Sequence, residues 1–242
     1  MIISRTPLRI SFVGGGSDFN AFYINEIGAV VSTTINKYIY ITVNKKFDSQ
    51  IRLSYSITEI VDRVDELKHE LVREALRLLG LDGGIEITSI ADIPSQGTGL
   101  GSSSSYTVGL LNALYAYNGM HVGAKRLAKE ACAIEIDGCL KPIGKQDQYI
   151  AAYGGLQYTG LTRSSESILL EQRNNTEQQK EKQEILSDMV KLAQKLRNAL
   201  TKNELDLFGE ILHAGWLKKR KMASNITNPK IDEWYERARK YG

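Results

Sequence analysis

Between Ile93 and Tyr106 the chain reads Pro94-Ser95-Gln96-Gly97-Thr98-Gly99-Leu100-Gly101-Ser102-Ser103-Ser104-Ser105, alternating glycines and a serine run set directly before a helical pattern. Glycine lets the backbone curl so that successive N–H groups point into one concavity, and the dipole of the following helix favours an anion there. The loop is therefore shaped for phosphate, with serine hydroxyls as further donors or magnesium ligands. It is not a Walker A loop, because Gly101 is followed by serine rather than by a lysine. Nor is it a dinucleotide fingerprint: the third glycine is misplaced and Ile93-Pro94 interrupts the strand before the turn. A flexible serine-glycine linker is the plain alternative. Against it stand Ile85 and Ile87 in strand alternation before the loop, and Val108, Leu111, Leu114 and Tyr115 at helical spacing after it.

A second glycine site follows the alternation Leu8, Ile10, Phe12: the turn Gly14-Gly15-Gly16-Ser17-Asp18. Val31 to Val43 alternates as one long strand or as a hairpin bent near Asn36-Lys37, Val61 to Leu79 fits an amphipathic helix that Gly80 ends, and Gly84 to Ile93 reads as a strand. Ala124 to Ile136 is a helix by propensity, with Glu135 in its last turn, where a helix dipole prefers cations. A magnesium ion would supply one, and a solvated surface glutamate is the alternative. Beyond Gly154-Gly155 the chain is mainly helical. Thr176 with Gln179 and Thr201 with Glu204 have capping-box spacing, Asn228-Pro229 has N-cap chemistry, and Lys218 to Lys221 reads as a solvated helix end.

With 242 residues the chain can bury a large core, and a net charge of +3 without aromatic-basic interleaving gives no case for nucleic acid. No signal peptide or membrane-length apolar run is present, so a cytoplasmic protein without a membrane partner is expected. Cys132 and Cys139 read as reduced packing residues, and His69, His121 and His213 have no metal-ligand spacing.

Phosphoryl transfer to an alcohol needs a nucleotide cradle, magnesium, a positioned hydroxyl and a group to manage its proton. Gly97 to Ser103 can cradle, Ser103 and Glu135 can ligate magnesium, Asp147 in Gly144-Lys145-Gln146-Asp147-Gln148 is a candidate base, and Arg9 can stabilise charge. These residues resemble the GHMP family of small-molecule kinases. Its first motif is matched by Arg5 to Asp18, its second by Pro94 to Ser105, and its two carboxylates by Glu135 and Asp147. Pro7 to Asp18, Gly144 to Gly155 and Thr159-Gly160-Leu161-Thr162-Arg163 carry a further likeness to the branch acting on D-glycero-D-manno-heptose 7-phosphate.

The resemblance implies α/β plus α+β architecture. Residues 1–157 would form a domain like the second domain of ribosomal protein S5, and residues 158–242 an incomplete ferredoxin-like domain, with the active site in the cleft between them. It implies ATP at Pro94, Gly97, Thr98, Gly99, Leu100, Gly101, Ser102, Ser103 and Ser104, with Mg2+ on Ser103 and Glu135. Asp147 would take the proton and Arg9 would neutralise charge, while Gly15, Gly16, Ser17 and Asp18 would bind sugar hydroxyls. Arg163, helped by Lys145, would hold the phosphate of a sugar phosphate; a surface arginine is the alternative. The expected product is the anomeric phosphate. Another sugar 1-kinase, for fucose, galactose or a uronic acid, and an inactive sugar sensor are the rivals, and the oligomeric state, a homodimer among the options, stays open.

Two pieces the resemblance leads one to expect are absent: strands between Tyr158 and Thr159, and a third glycine motif after Gly242. The favoured expectation is a piece of a longer chain, since helices without those strands would leave Leu192, Leu196, Phe208 and Leu212 exposed. If the chain is genuinely that short, poor ATP binding is expected.

Overall fold

The computed structural model describes residues 1–94, 99–161, 177–223 and 226–241. Contacts group the chain into two units, one of residues 1–10 and 33–157, the other of residues 11–32 and 158–242.

The sheet contains β1 (Ile2–Val13), β2 (Gly28–Lys45), β3 (Ile51–Ser54), β4 (Thr58–Val61), β5 (Ile85–Ala91) and β6 (Leu156–Leu161), in the order β1-β2-β5-β3-β4 with β6 also paired to β2. Residues 28–45 form one continuous strand rather than a hairpin, and Asn36 and Lys37 are simply exposed positions along it. In the first unit β5 runs antiparallel to β2, with Val43 opposite Ile87, and parallel to β3, with Leu53 opposite Ile87. The period-2 alternation then puts Ile39, Ile41, Val43, Ile51, Leu53, Ile85 and Ile87 into one buried cluster. Two helices complete that core, α2 (Glu70–Leu79) through Leu71, Val72, Ala75 and Leu76, and α3 (Ser102–Tyr117) through Leu110, Leu111 and Leu114.

The amphipathic segment read from Val61 onward is divided in the structure. Val61 ends β4, Val64–Glu66 makes a 3-10 turn, and α2 begins at Glu70. The Glu59 carboxylate enforces the break by accepting the backbone N–H groups of Lys68 at 2.7 Å and His69 at 3.3 Å. Helix α2 ends as expected at Gly80, whose φ of +62° admits a Leu81 N–H bond to the Leu76 carbonyl at 3.0 Å.

Helix α3 is buried around nearly its whole circumference, so the hydroxyls of its first turns must find partners. Ser105 donates to the Pro7 carbonyl at 2.9 Å and Thr107 to the Ser103 carbonyl at 3.1 Å. It is followed by α4 (Ala124–Cys132), which runs into a π-helical turn over Ala133–Gly138, and by α5 (Gln146–Tyr153).

The second unit combines the end of β1, the single turn α1 (Asn20–Tyr23) and the start of β2 with α6 (Glu177–Thr201), α7 (Asp206–Arg220) and α8 (Pro229–Lys240). Val13, Phe22, Ala29 and Val31 pack with Met189, Ala193, Leu196 and Ile211. Most of the stripe that would lie bare without further strands is covered here, and Leu212 is half-buried. Leu196 is fully buried, Leu192 and Phe208 pack on the same cluster, and Phe208 meets Phe12 edge-on with ring centroids 5.1 Å apart. Asn228 caps α8 as its sequence predicts, accepting the Ile231 N–H at 3.0 Å. The Thr201 capping box does not form: its hydroxyl donates back to the Arg197 carbonyl at 2.8 Å, and α7 starts beyond Leu205. Thr176 lies outside the described residues. Among the described residues no helix is long and apolar enough to cross a membrane.

Candidate active site

Within the first unit, Arg9 on β1 is the hub. Its Nε and Nη2 donate to the two carboxylate oxygens of Asp147, each at 2.7 Å, and its Nη1 donates to the Gly99 carbonyl at 2.6 Å. The Arg9 backbone N–H reaches the Leu100 carbonyl at 3.1 Å, so strand, glycine loop and the first turn of α5 are tied at one residue. Planar, bidentate pairing of this kind fixes direction as well as distance.

Gly101 precedes α3 at φ +74°, and a Cβ there would lie 3.2 Å from Arg9 Cγ and 3.3 Å from Asp147 Oδ2. Only glycine combines that left-handed backbone with so close an ion pair. The first bond of the α3 ladder runs from Ser105 N–H to the Gly101 carbonyl, which leaves the N–H groups of Ser102, Ser103 and Ser104 ahead of it. Gly97 and Thr98 lie outside the described residues.

Glu135 departs from its expected setting in a terminal α-helical turn. It stands in the π turn after α4, marked by the Cys139 N–H bonding to the Ile134 carbonyl at 2.8 Å, and it is fully buried. The solvated alternative is therefore set aside. Its Oε1 accepts from Ser103 Oγ at 2.6 Å, and its Oε2 accepts from Ser104 Oγ at 2.7 Å and from Gln148 Nε2. Three neutral donors surround this carboxylate, and no cation lies within ion-pair distance of it among the described residues. No group of three histidine, cysteine or acidic side chains among those residues could cage a metal. One carboxylate with one hydroxyl at a phosphate loop matches magnesium's usual habit, since that ion takes few protein ligands and completes its shell with phosphate and water. The donor set fits.

A cavity of about 680 Å³ opens beside Ser102 and Ser103, lined among others by Tyr55, His69, Tyr106, Ile90, Pro94 and Lys141. His69 stacks on Tyr106 with ring centroids 5.0 Å apart and meets Tyr55 edge-on at 4.7 Å. Burial lowers the His69 pKa below its ordinary 6.5, although Glu59 and Glu70 pull it up. The Tyr106 hydroxyl is buried beside Ser89, and its ionisation is pushed up, mainly by burial, with Ser89 acting against the shift. Lys141 pairs with Glu70 at the cavity wall. Of the lining residues only Pro94, Ser102 and Ser103 were legible as site residues. Isolated aromatics in strand and helix patterns read as packing, and no motif marks Lys141. In the sequence Gln148 reads only as a neighbour of Asp147, yet it donates to Glu135.

The second glycine turn belongs to the other unit. Gly14 has φ +93°, and a Cβ there would sit 2.0 Å from the Ala29 carbonyl oxygen. Ser17 is fully buried, with its hydroxyl 2.8 Å from the Gly14 carbonyl and accepting the Ala29 N–H at 3.1 Å. Its side chain therefore braces the turn rather than facing a ligand. Asp18, also buried, accepts the Gly16 N–H at 2.8 Å, while Gly15 and Gly16 are half-exposed. Lys219, read from sequence as part of a solvated helix end, donates from Nζ to the Gly15 carbonyl at 2.8 Å. Lys145 precedes α5, two residues before Asp147. Arg163 lies outside the described residues.

Comparison with known proteins converges on one set of relatives. Residues 66–155 match the family model for the GHMP kinases N terminal domain. The chain is 25% identical to the D-glycero-alpha-D-manno-heptose 7-phosphate kinase of Campylobacter jejuni, in an alignment covering 98% of this chain and 82% of that protein. The crystal structure of a D-glycero-D-manno-heptose 1-phosphate kinase from Bacteriodes thetaiotaomicron superposes with a TM-score of 0.79 at 25% identity, covering 92% of this chain and 80% of the other. Lactococcus lactis galactokinase complexed with galactose shares the fold at 17% identity, with a TM-score of 0.73 over 98% of this chain and 80% of that one.

Proposed function

We propose, from the premise that residues 66–155 are a GHMP kinase N-terminal domain and the chain is an ATP-dependent sugar kinase, that its acceptor is the anomeric hydroxyl of D-glycero-D-manno-heptose 7-phosphate. The observation that carries the chemistry is the bidentate Arg9–Asp147 pair set against Gly101 at the start of α3.

The nucleotide base would occupy the aromatic cavity, whose volume of about 680 Å³ suits a ligand of that size, with its phosphates at Gly99 to Ser104. Ser103 and Glu135 would hold a magnesium ion, which when bound with nucleotide offsets phosphate charge. Asp147 keeps lone pairs beyond those turned to Arg9, so it can accept the acceptor hydroxyl's proton while Arg9 fixes its orientation. Three N–H groups of the guanidinium are engaged by Asp147 and Gly99, and the remaining ones can meet negative charge on the transferring phosphoryl group. Gly15, Gly16 and Asp18 would bind the sugar, and Arg163 with Lys145 its phosphate.

The two heptose kinases compared are named for different phosphate positions, so the assay takes both. Magnesium-dependent ATP consumption is measured with the heptose 7-phosphate, the heptose 1-phosphate, mannose, fucose and galactose, followed by phosphorus NMR. A new anomeric phosphate formed only from the 7-phosphate is expected. Turnover only with a free sugar retains the kinase and rejects the heptose phosphate as its substrate.

A further inference from the structure

Three consecutive basic residues close α7, and the structure treats them differently. Lys218 pairs with Asp188 at 2.7 Å and Arg220 with Asp232 at 3.5 Å, as expected of a helix end in solvent. Lys219 instead turns to the Gly14–Asp18 turn, where its Nζ holds the Gly15 carbonyl and lies 3.7 Å from where a Gly16 Cβ would stand. The geometry points to Lys219 as a specificity-determining residue that reads sugar hydroxyls at this turn. The inference rests on the sugar-kinase reading above.

An ammonium group carries three N–H donors, and one carbonyl does not satisfy it. Burial lowers the Lys219 pKa, while attraction to Asp18 raises it, which describes a cation partly withdrawn from water beside a carboxylate. Methionine or leucine at this position would remove the donor that Lys219 presents at the half-exposed Gly15 and Gly16. The ligand class follows from the acceptors present. A sugar hydroxyl can accept from Lys219 Nζ and donate to the Gly15 carbonyl together, whereas a phosphate can only accept and would meet both that carbonyl and the Asp18 carboxylate. Hydroxyls fit this turn and a phosphate does not.

Isothermal titration of D-glycero-D-manno-heptose and of its 7-phosphate, into wild type and Lys219→Met, reads sugar binding without turnover. Both sugars are expected to bind at least about tenfold more weakly to the variant, the size of a lost charged hydrogen bond, with the sugar KM rising likewise and kcat falling less. Affinity for a non-hydrolysable ATP analogue should stay within about twofold, because the cavity is lined by residues of the other unit. If Lys219→Met melts at a much lower temperature, Lys219→Gln, whose amide can still donate to Gly15, carries the same comparison. Unchanged affinity for both sugars in a folded variant overturns the inference, and so does a loss confined to the 7-phosphate. Failure of wild type to turn over any sugar overturns the kinase reading instead, and the titration still decides Lys219.

Discussion

On the function proposed above, Asp147 sits where two demands meet, since Arg9 must hold it still and a substrate proton must reach it. Asp147→Asn keeps the shape but not the basicity, so turnover should fall by about 10²–10⁴-fold while nucleotide affinity changes by less than about threefold. Parallel measurement of kcat and of analogue binding checks this, and full turnover would remove Asp147 from its role. His69 gives a pH prediction. Its folded pKa is lowered by burial, so above its ordinary 6.5 both folded and unfolded chains hold it neutral, and below that value the unfolded chain takes up the proton first. Stability should therefore drop as pH falls through and below 6.5. His69→Phe keeps an aromatic ring between Tyr55 and Tyr106 but removes the proton, and its melting temperature should fall less between about pH 7.5 and 5.5 than that of wild type. An equal fall in both proteins would refute the assignment. At this scale the sequence yielded the residues that a motif marks, Arg9, Ser103, Glu135 and Asp147. It hid Lys219, because one inward lysine among four basic residues looks like its neighbours.

The central element is α3, and its closeness to β1 is what brings the glycine loop onto Arg9. Ser4 Oγ donates to the Gly109 carbonyl at 2.7 Å, and a Cβ on Gly109 would lie 2.6 Å from Thr6 Oγ1. Helix propensity alone favours alanine over glycine by about 1 kcal/mol. Here the clash should win, making Gly109→Ala destabilising by about 1–3 kcal/mol, which a lowered thermal midpoint would reveal; a raised midpoint would mean that β1 yields easily. Periodicity made α2, α6 and β5 readable, because one buried face repeats along each, and Val108, Leu111, Leu114 and Tyr115 gave α3 its helical spacing although that helix is buried on nearly every side. The π turn at Glu135 was not readable, since one residue of extra width leaves no periodic trace in a short helix. The break before α2 was hidden for a different reason: Glu59, a distant side chain in sequence, supplies the acceptor for the backbone that stops the helix from starting earlier.

The two units of the whole molecule differ in how the chain supplies them. The first draws its sheet and helices mostly from residues 33–157, whereas the second needs residues 11–32 together with residues 158–242. Sequence reading placed a boundary near residue 157 but put the Gly14–Asp18 turn with the first half, because proximity along the chain was the sole guide. Nothing in the local pattern of Val13, Phe22, Ala29 and Val31 shows that their partners are Met189, Leu196 and Ile211. That long-range closure sets an order of assembly. A nascent chain has made residues 11–32 on the order of a hundred residues before α6 exists to cover them, so their apolar side chains wait, and the cost of closing so long a loop falls late. During synthesis the aromatic cavity can be walled before the turn at Gly15 gains its lysine, and if that turn binds the sugar as proposed, sugar recognition would be the last competence the molecule acquires.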